Sequence, residues 1–375
     1  MDVIIPFGIG CFNFGINRPP PFKLIGKQYI ADLKSSLKLI PNISNIKTSV
    51  DENFERFGIE ATEPIQSIEN GFGFFPSSMS IFTLQFNVYI PFRIQEGLYD
   101  RKLRTNTENF RVYIKTAYYF IVTYIELLDS TDNCSPSDGV LTVRKFLEQQ
   151  FEKINSNLRF ESLGPSPFHA DFFIKPSGDK DKEKYRNGLY PEQIKKMGYD
   201  LFNIYYDPSY FNDITVLTQD VFTMLMREVS IYYNIVLSNH LKNLRWKELE
   251  AIMNDILITK TKNNINLFFY NLFLLPSKIR NAALTMAEYE TSNIWADYLI
   301  NRNYKDLTIV EKPLIDSHFK ELFNKFAKYP IKQLREIIDF LERSRTKTVE
   351  TIIIIMAALI GGSIGALITF FFAQR

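Results

Sequence analysis

Cysteine and histidine are scarce in this chain, and the scarcity excludes a good deal. Only 2 cysteines occur among 375 residues, Cys11 and Cys134. They are isolated and share no metal-ligand spacing, which speaks against a zinc site and against a disulfide framework, and fits a reducing compartment. The 3 histidines, His169, His240 and His318, are the whole supply of imidazole bases and ligands. Charge of one sign is also lacking. The 44 basic and 42 acidic side chains leave a net +2, which argues against direct nucleic-acid binding by the body as a whole. There is no G-x-x-x-x-G-K-[ST] loop, and Gly8, Gly10 and Gly15 have the wrong spacing for a dinucleotide site. No cofactor or metal is therefore expected. No secretory leader is expected either, because Met1-Asp2-Val3-Ile4-Ile5-Pro6 has no basic region and Pro6 cuts the apolar run short.

What the chain does have is apolar content, 46% of its residues, enough for a real core and for two or three domains. Phe12, Phe14 and Ile16 alternate with Asn13 and Gly15 as in a strand, and Gln28 to Leu39 has helical spacing. Pro41 to Gly73 is irregular and reads mostly as loop. The clearest strand is Met79 to Phe92: Phe82, Leu84, Phe86, Val88 and Ile90 point one way, and Thr83, Gln85 and Asn87 the other. A β-rich stretch, Phe110 to Leu128, precedes an amphipathic helix from Val140 to Ile154. Strands then follow at Leu158–Leu163, Phe168–Lys175 and Leu201–Tyr206, with a solvated charged loop from Ser177 to Asn187 between the last two. This order predicts an α+β N-terminal domain over 1–206 with a mostly antiparallel sheet.

Beyond Asp207 the composition turns helical. Asp213 is a candidate N-cap for apolar periodicity running from Ile214 to about Leu257, and further helices are expected at Ser277–Arg302 and Pro313–Lys328. We read 207–329 as an α-helical domain. Pro330 suits the first turn of a helix, and Ile331, Leu334, Ile338 and Leu341 follow at 3-4-3 spacing in a juxtamembrane amphipathic helix over 330–350. That stripe fits either a seam between protomers or packing on its own domain.

The last stretch, Thr351 to Ala373, carries no charge, and as a helix of about 34 Å it would cross a hydrocarbon core of about 30 Å. It predicts a single C-terminal transmembrane helix over 351–373. Ala357, Gly361 and Gly365 form one column of small residues and Ala358, Gly362 and Ala366 another, a pattern for helix–helix association and hence a homo-oligomer. Basic residues before the helix, Arg343, Arg345 and Lys347 among them, outnumber the single Arg375 after it. The expected placement is single-pass, with the N-terminal body cytoplasmic and the C-terminus across the membrane. Arg343, Arg345 and Lys347, together with Lys242, Arg245 and Lys247 beside Trp246, are the candidate contacts to anionic lipid headgroups. Lys260 and Lys262 are a further basic pair.

Catalytic signals are thin. His240-x-Lys242 and His318-x-Lys320 open like a phospholipase D motif, but the aspartate positions hold Lys247 and Lys325. His169 and Asp171 share a strand face and are the one acid/base pair that can be named.

A cytosolic body, basic residues at the boundary (Arg343, Arg345, Lys347) and a glycine-containing anchor at Thr351–Ala373 make a layout that resembles membrane effectors of prokaryotic antiviral systems, including those encoded beside short Argonautes. The resemblance implies toxicity on activation and affinity for anionic lipids, and assigns no residue roles. It predicts an effector whose body receives a signal or a cytosolic protein partner and whose anchor then assembles to perturb the membrane. The alternatives are a tail-anchored adaptor or scaffold without pore activity, and an anchored hydrolase using His169 and Asp171.

Overall fold

The computed structural model describes residues 3–19, 21–50, 55–56, 58–60, 82–101, 103–117, 120–130, 133–162, 170–177, 187–196, 199–259, 274–310, 313–324 and 329–373. The chain divides into two compact units. One comprises Met1–Leu237 and Asn303–Leu322, the other Ser238–Arg302 and Phe323–Arg375.

The first unit is built on an eight-stranded sheet. Its strands are β1 (Ile5–Gly10), β4 (Ile43–Val50), β6 (Phe82–Tyr89), β7 (Asn109–Ala117), β8 (Phe120–Leu127), β10 (Ala170–Pro176), β11 (Leu189–Lys196) and β12 (Tyr199–Tyr206). They lie in the order β11-β12-β10-β1-β8-β7-β6-β4, and only the β10–β12 pair is parallel. The expected α+β class with a mostly antiparallel sheet is present. Two small sheets flank it: β2 (Phe12–Ile16) with β9 (Leu158–Ser162), and β3 (Lys23–Ile25) with β5 (Gly58–Glu60).

Two stretches differ from expectation. Pro41–Gly73 is not mostly loop where it is described, since it contains β4 and β5. β4 has a polar sequence, Ile-Ser-Asn-Ile-Lys-Thr-Ser-Val, and its ladder to β6 supplies what its own side chains do not. β11 carries Pro191 and two lysines, a composition suited to a sheet edge, where it lies. The middle of the charged 177–187 loop, residues 178–186, is outside the described residues.

β1 is buried along its whole length because both faces of the sheet are covered. On one face Phe7 meets Phe172, with ring centroids 5.3 Å apart, and Phe172 stacks on Phe202 at 4.8 Å. On that face lies the start of α4 (Ile214–Thr259), whose Phe222 stacks on Tyr124 at 4.1 Å and accepts the Tyr124 hydroxyl at its backbone oxygen, 2.8 Å. On the other face lies α3 (Pro136–Lys153), so close that a Cβ on Gly8 would stand 2.4 Å from Val140 Cγ2 and 2.5 Å from the Pro136 carbonyl oxygen. Only hydrogen fits there. The remaining helices of this unit are α1 (Gly26–Lys38) and the single turn α2 (Phe92–Gln95), together with the end of α5 (Leu275–Val310) and most of α6 (Asp316–Asn324). Asp213 does cap α4, its Oδ1 accepting the Thr215 N–H at 2.7 Å.

The second unit has a core of three helices. Trp246, Leu249, Met253 and Ile256 of α4 pack with Ile279, Ala282, Met286 and Tyr289 of α5 and with Ile338 and Leu341 of α7 (Ile331–Ala373). Each set repeats at spacings of three and four, the stripe that brings helix faces together. The Ile331, Leu334, Ile338 and Leu341 stripe therefore packs within its own unit, and the reading of it as a seam between protomers is corrected. Arg335 adds a two-pronged bond to Glu290, 2.6 Å to each carboxylate oxygen.

α7 continues without a break from this core to Ala373. The transmembrane expectation for its end is corrected: among the described residues no helix is long and apolar enough to cross a membrane. Up to Glu350 the helix carries charges every few residues. Its described uncharged part, from Thr351 to Ser363, measures about 20 Å against a hydrocarbon core of about 30 Å. The side chains of Ile352, Gly362 and residues 364–373 lie outside the described set. The tail-anchored, single-pass placement with a cytoplasmic body loses its support with the anchor.

Candidate functional site

The first unit holds a cleft of about 1090 Å³ beside the edge strand β11. Three segments far apart in sequence line it. Leu189, Pro191, Gln193 and Lys195 are alternate residues of β11 and so share one face of the strand. α4 presents Asp220, Thr223, Met224 and Glu228 at helical spacing. The third wall runs from Pro313 through Lys320, which includes most of α6. Gly188, in the turn just before β11, has φ of +76°, and a Cβ there would meet the Tyr210 ring at 2.7 Å, so this corner of the cleft requires glycine twice over.

Polar contacts hold α6 in place. Gln193 Nε2 donates to Asp200 Oδ2 at 2.7 Å and lies 3.3 Å from Ser317 Oγ. The Ile315 N–H donates to Glu228 Oε2 at 3.2 Å, and the Tyr304 hydroxyl to Asp316 Oδ1 at 2.6 Å. His318 Nε2 lies 2.9 Å from Asp200 Oδ2. Burial pushes the His318 imidazole below its ordinary range. Asp200 and Glu321 oppose that shift, and Lys195 adds to it.

The charges in the cleft are of both signs. Lys320 Nζ pairs with Asp316 Oδ2 at 2.7 Å, and Glu228 is committed to Ile315. Lys195 and Asp220 are exposed and have no ion-pair partner among the described residues. Ammonium groups, carboxylates and amides around Leu189, Pro191, Met224 and Leu314 make a recognition site with both apolar and charged contacts. No sequence motif marked it, since none of its three segments is distinctive alone.

The residues singled out from sequence fall elsewhere. Asp171 sits on β10 facing the first turn of α3, where it accepts the Ser137 N–H at 2.8 Å and faces the hydroxyls of Ser135 (3.5 Å) and Tyr199 (3.4 Å). Burial raises the Asp171 carboxyl, and the bonds from Ser137 and Tyr199 oppose this. Its carboxylate does the capping work that the Ser135 side chain leaves undone. His169, its supposed partner, lies outside the described residues, as does the His240 side chain.

In the second unit Lys242 is 3.6 Å from Asp297, while Arg245 and Lys247 are exposed. Trp246 between them is a core residue at 7% exposure, stacked on Tyr329 at 4.6 Å. It belongs to the interior and not to a basic surface patch. Lys260 and Lys262 are outside the described residues. Arg343 and Lys347 are exposed on α7 and Arg345 is half-buried. Ala357, Ala358 and Gly361 are exposed, and a Cβ on Gly361 would meet nothing within 4 Å. The side chains of Gly362, Gly365 and Ala366 are outside the described set.

No family model, curated protein or solved structure matches the chain. The functional reading rests on the chain's own residues.

Proposed function

We propose that this protein is a self-associating scaffold: the sheet-containing unit receives a partner, and the end of α7 joins copies of the chain. The observation that carries this reading is the exposure of Ile353, Ile354, Ile355, Met356, Leu359 and Ile360, each between 53% and 68% open. At about 100° per residue these six side chains point all round the helix, so no polar face is left to meet water. An apolar surface of this kind marks a contact with another molecule, and covering it yields about 25 cal/mol per Å². Ala357, Ala358 and Gly361 sit among the large residues and would let a second helix backbone come close.

The expected tail-anchored adaptor and the membrane effector both rested on the anchor, which no helix among the described residues supplies. A scaffold without that anchor is what the exposed end of α7 supports. Sedimentation of the full chain tests the proposal. It is expected to run as an oligomer, and Ile354→Lys with Leu359→Lys is expected to shift it toward the monomer without changing the melting of the second unit's core. A chain that stays monomeric at every loading, or a variant that sediments unchanged, would overturn the reading.

A further inference from the structure

We propose that the cleft beside β11 binds an extended peptide segment carrying one acidic and one basic residue, the first held by Lys195 and the second by Asp220. The length of its β11 lining points to an extended chain as the occupant. The floor from Leu189 to Lys195 runs along a strand and spans about 20 Å at about 3.4 Å per residue. The volume, about 1090 Å³, lies at the upper limit for small-molecule sites.

The chemistry varies along that floor. Leu189 and Pro191 are apolar, and Tyr210, 60% exposed, stands against Gly188 at that end. Gln193 and Lys195 follow at the end where α6 is tied down through Ser317 and His318. Of the five charged groups lining the cleft, Asp316 is matched by Lys320 and Glu228 is bonded to the Ile315 N–H. Lys195 on β11 and Asp220 on α4 remain as exposed charges of opposite sign on different walls. Asn187 and Thr223 add an amide and a hydroxyl to the lining, donors and acceptors suited to a ligand main chain. A peptide with opposite charges set apart by short apolar residues satisfies all of these groups at once.

The inference is independent of the assembly reading, since the cleft lies in the first unit and its test reads peptide binding alone. The probe is a displayed library of random peptides about eight residues long, enough to span the trough, panned against the full chain. Enriched sequences are expected to share an Asp or Glu at a fixed distance from a Lys or Arg. Lys195→Glu should weaken a selected peptide about tenfold, because reversal turns an attraction into a repulsion. Panning against Lys195→Glu should then exchange the acidic position for a basic one, and Asp220→Lys should exchange the basic position for an acidic one. Both residues are exposed, so the variants should melt with the parent. No enrichment, enrichment without charge preference, or binding unaffected by both reversals would overturn the proposal.

Discussion

The two units hold apolar side chains in very different ways. In the first, a sheet is covered on both faces and its central strand β1 is buried at every position, with glycine hydrogens in contact with the helix above. In the second, three helices share one stripe each. Beyond Leu341, at 2% exposure, the same α7 presents Ile353 to Ile360 more than half open. The isoleucines are chemically alike on either side of Glu350. What differs is whether a neighbour is there to cover them, so hydrophobicity states a demand for burial that only the surroundings can meet.

Three experiments sharpen this contrast. The largest effect is expected at Trp246, which touches Tyr289 and Tyr329 in the second unit's core. Trp246→Ala should cost about 3–5 kcal/mol and lower the melting of residues 238–302 and 329–350, read by hydrogen exchange, while leaving β1 protected. If exchange rises equally in both units, they unfold as one and the contrast fails.

Next is Gly8→Ala. A methyl group there meets a backbone carbonyl that cannot swing aside, so a loss of about 3 kcal/mol, confined to the first unit, is expected in denaturant unfolding. A silent substitution would mean that α3 sits further from the sheet than described.

The smallest effect is the pH response of α6. Burial holds the His318 imidazole below its ordinary value, with Asp200, Glu321 and Lys195 as the charged groups facing it. The unfolded chain therefore takes up this proton at a higher pH than the folded one. The stabilisation is complete above about 6.5 and is lost as the pH falls from there through the folded value. The protection factors of the amides in 313–324, taken against the intrinsic exchange rate at each pH, should fall on acidification, and His318→Gln should flatten that dependence. An unchanged slope in the variant would assign the response to another group.

Where one residue's pattern decided its fate, the sequence was readable. Alternation in Phe82–Val88 fixed which side chains of β6 are buried, and Asp213 announced the start of α4. β4 and β11 were not readable as they were formed, because their polar sequences become strands only through the ladders their neighbours offer. Asp171 was expected in a strand and lies in β10, but the α3 turn it caps comes from residues thirty-four positions earlier, at Ser137, which no local pattern reveals. The cleft is harder still. Leu189–Lys195, Asp220–Glu228 and Pro313–Lys320 meet only in the folded chain, and each alone reads as ordinary surface. The apolar end of α7 was legible as an unmet demand, and the membrane assigned to meet it was the part that did not hold.

The division of the chain has a consequence for its synthesis. Residues 303–322 belong with the sheet, yet 238–302, which belong to the helical core, are made before them. A ribosome therefore delivers the whole sheet early but withholds its last covering segment until an interposed stretch has emerged. Domains tend to fold as units while the chain is being made. Here the cleft is left without one wall until residues 303–322 arrive, so a nascent chain stalled near residue 302 should display β11 and α4 with the α6 side open and grip a peptide more weakly than the whole chain.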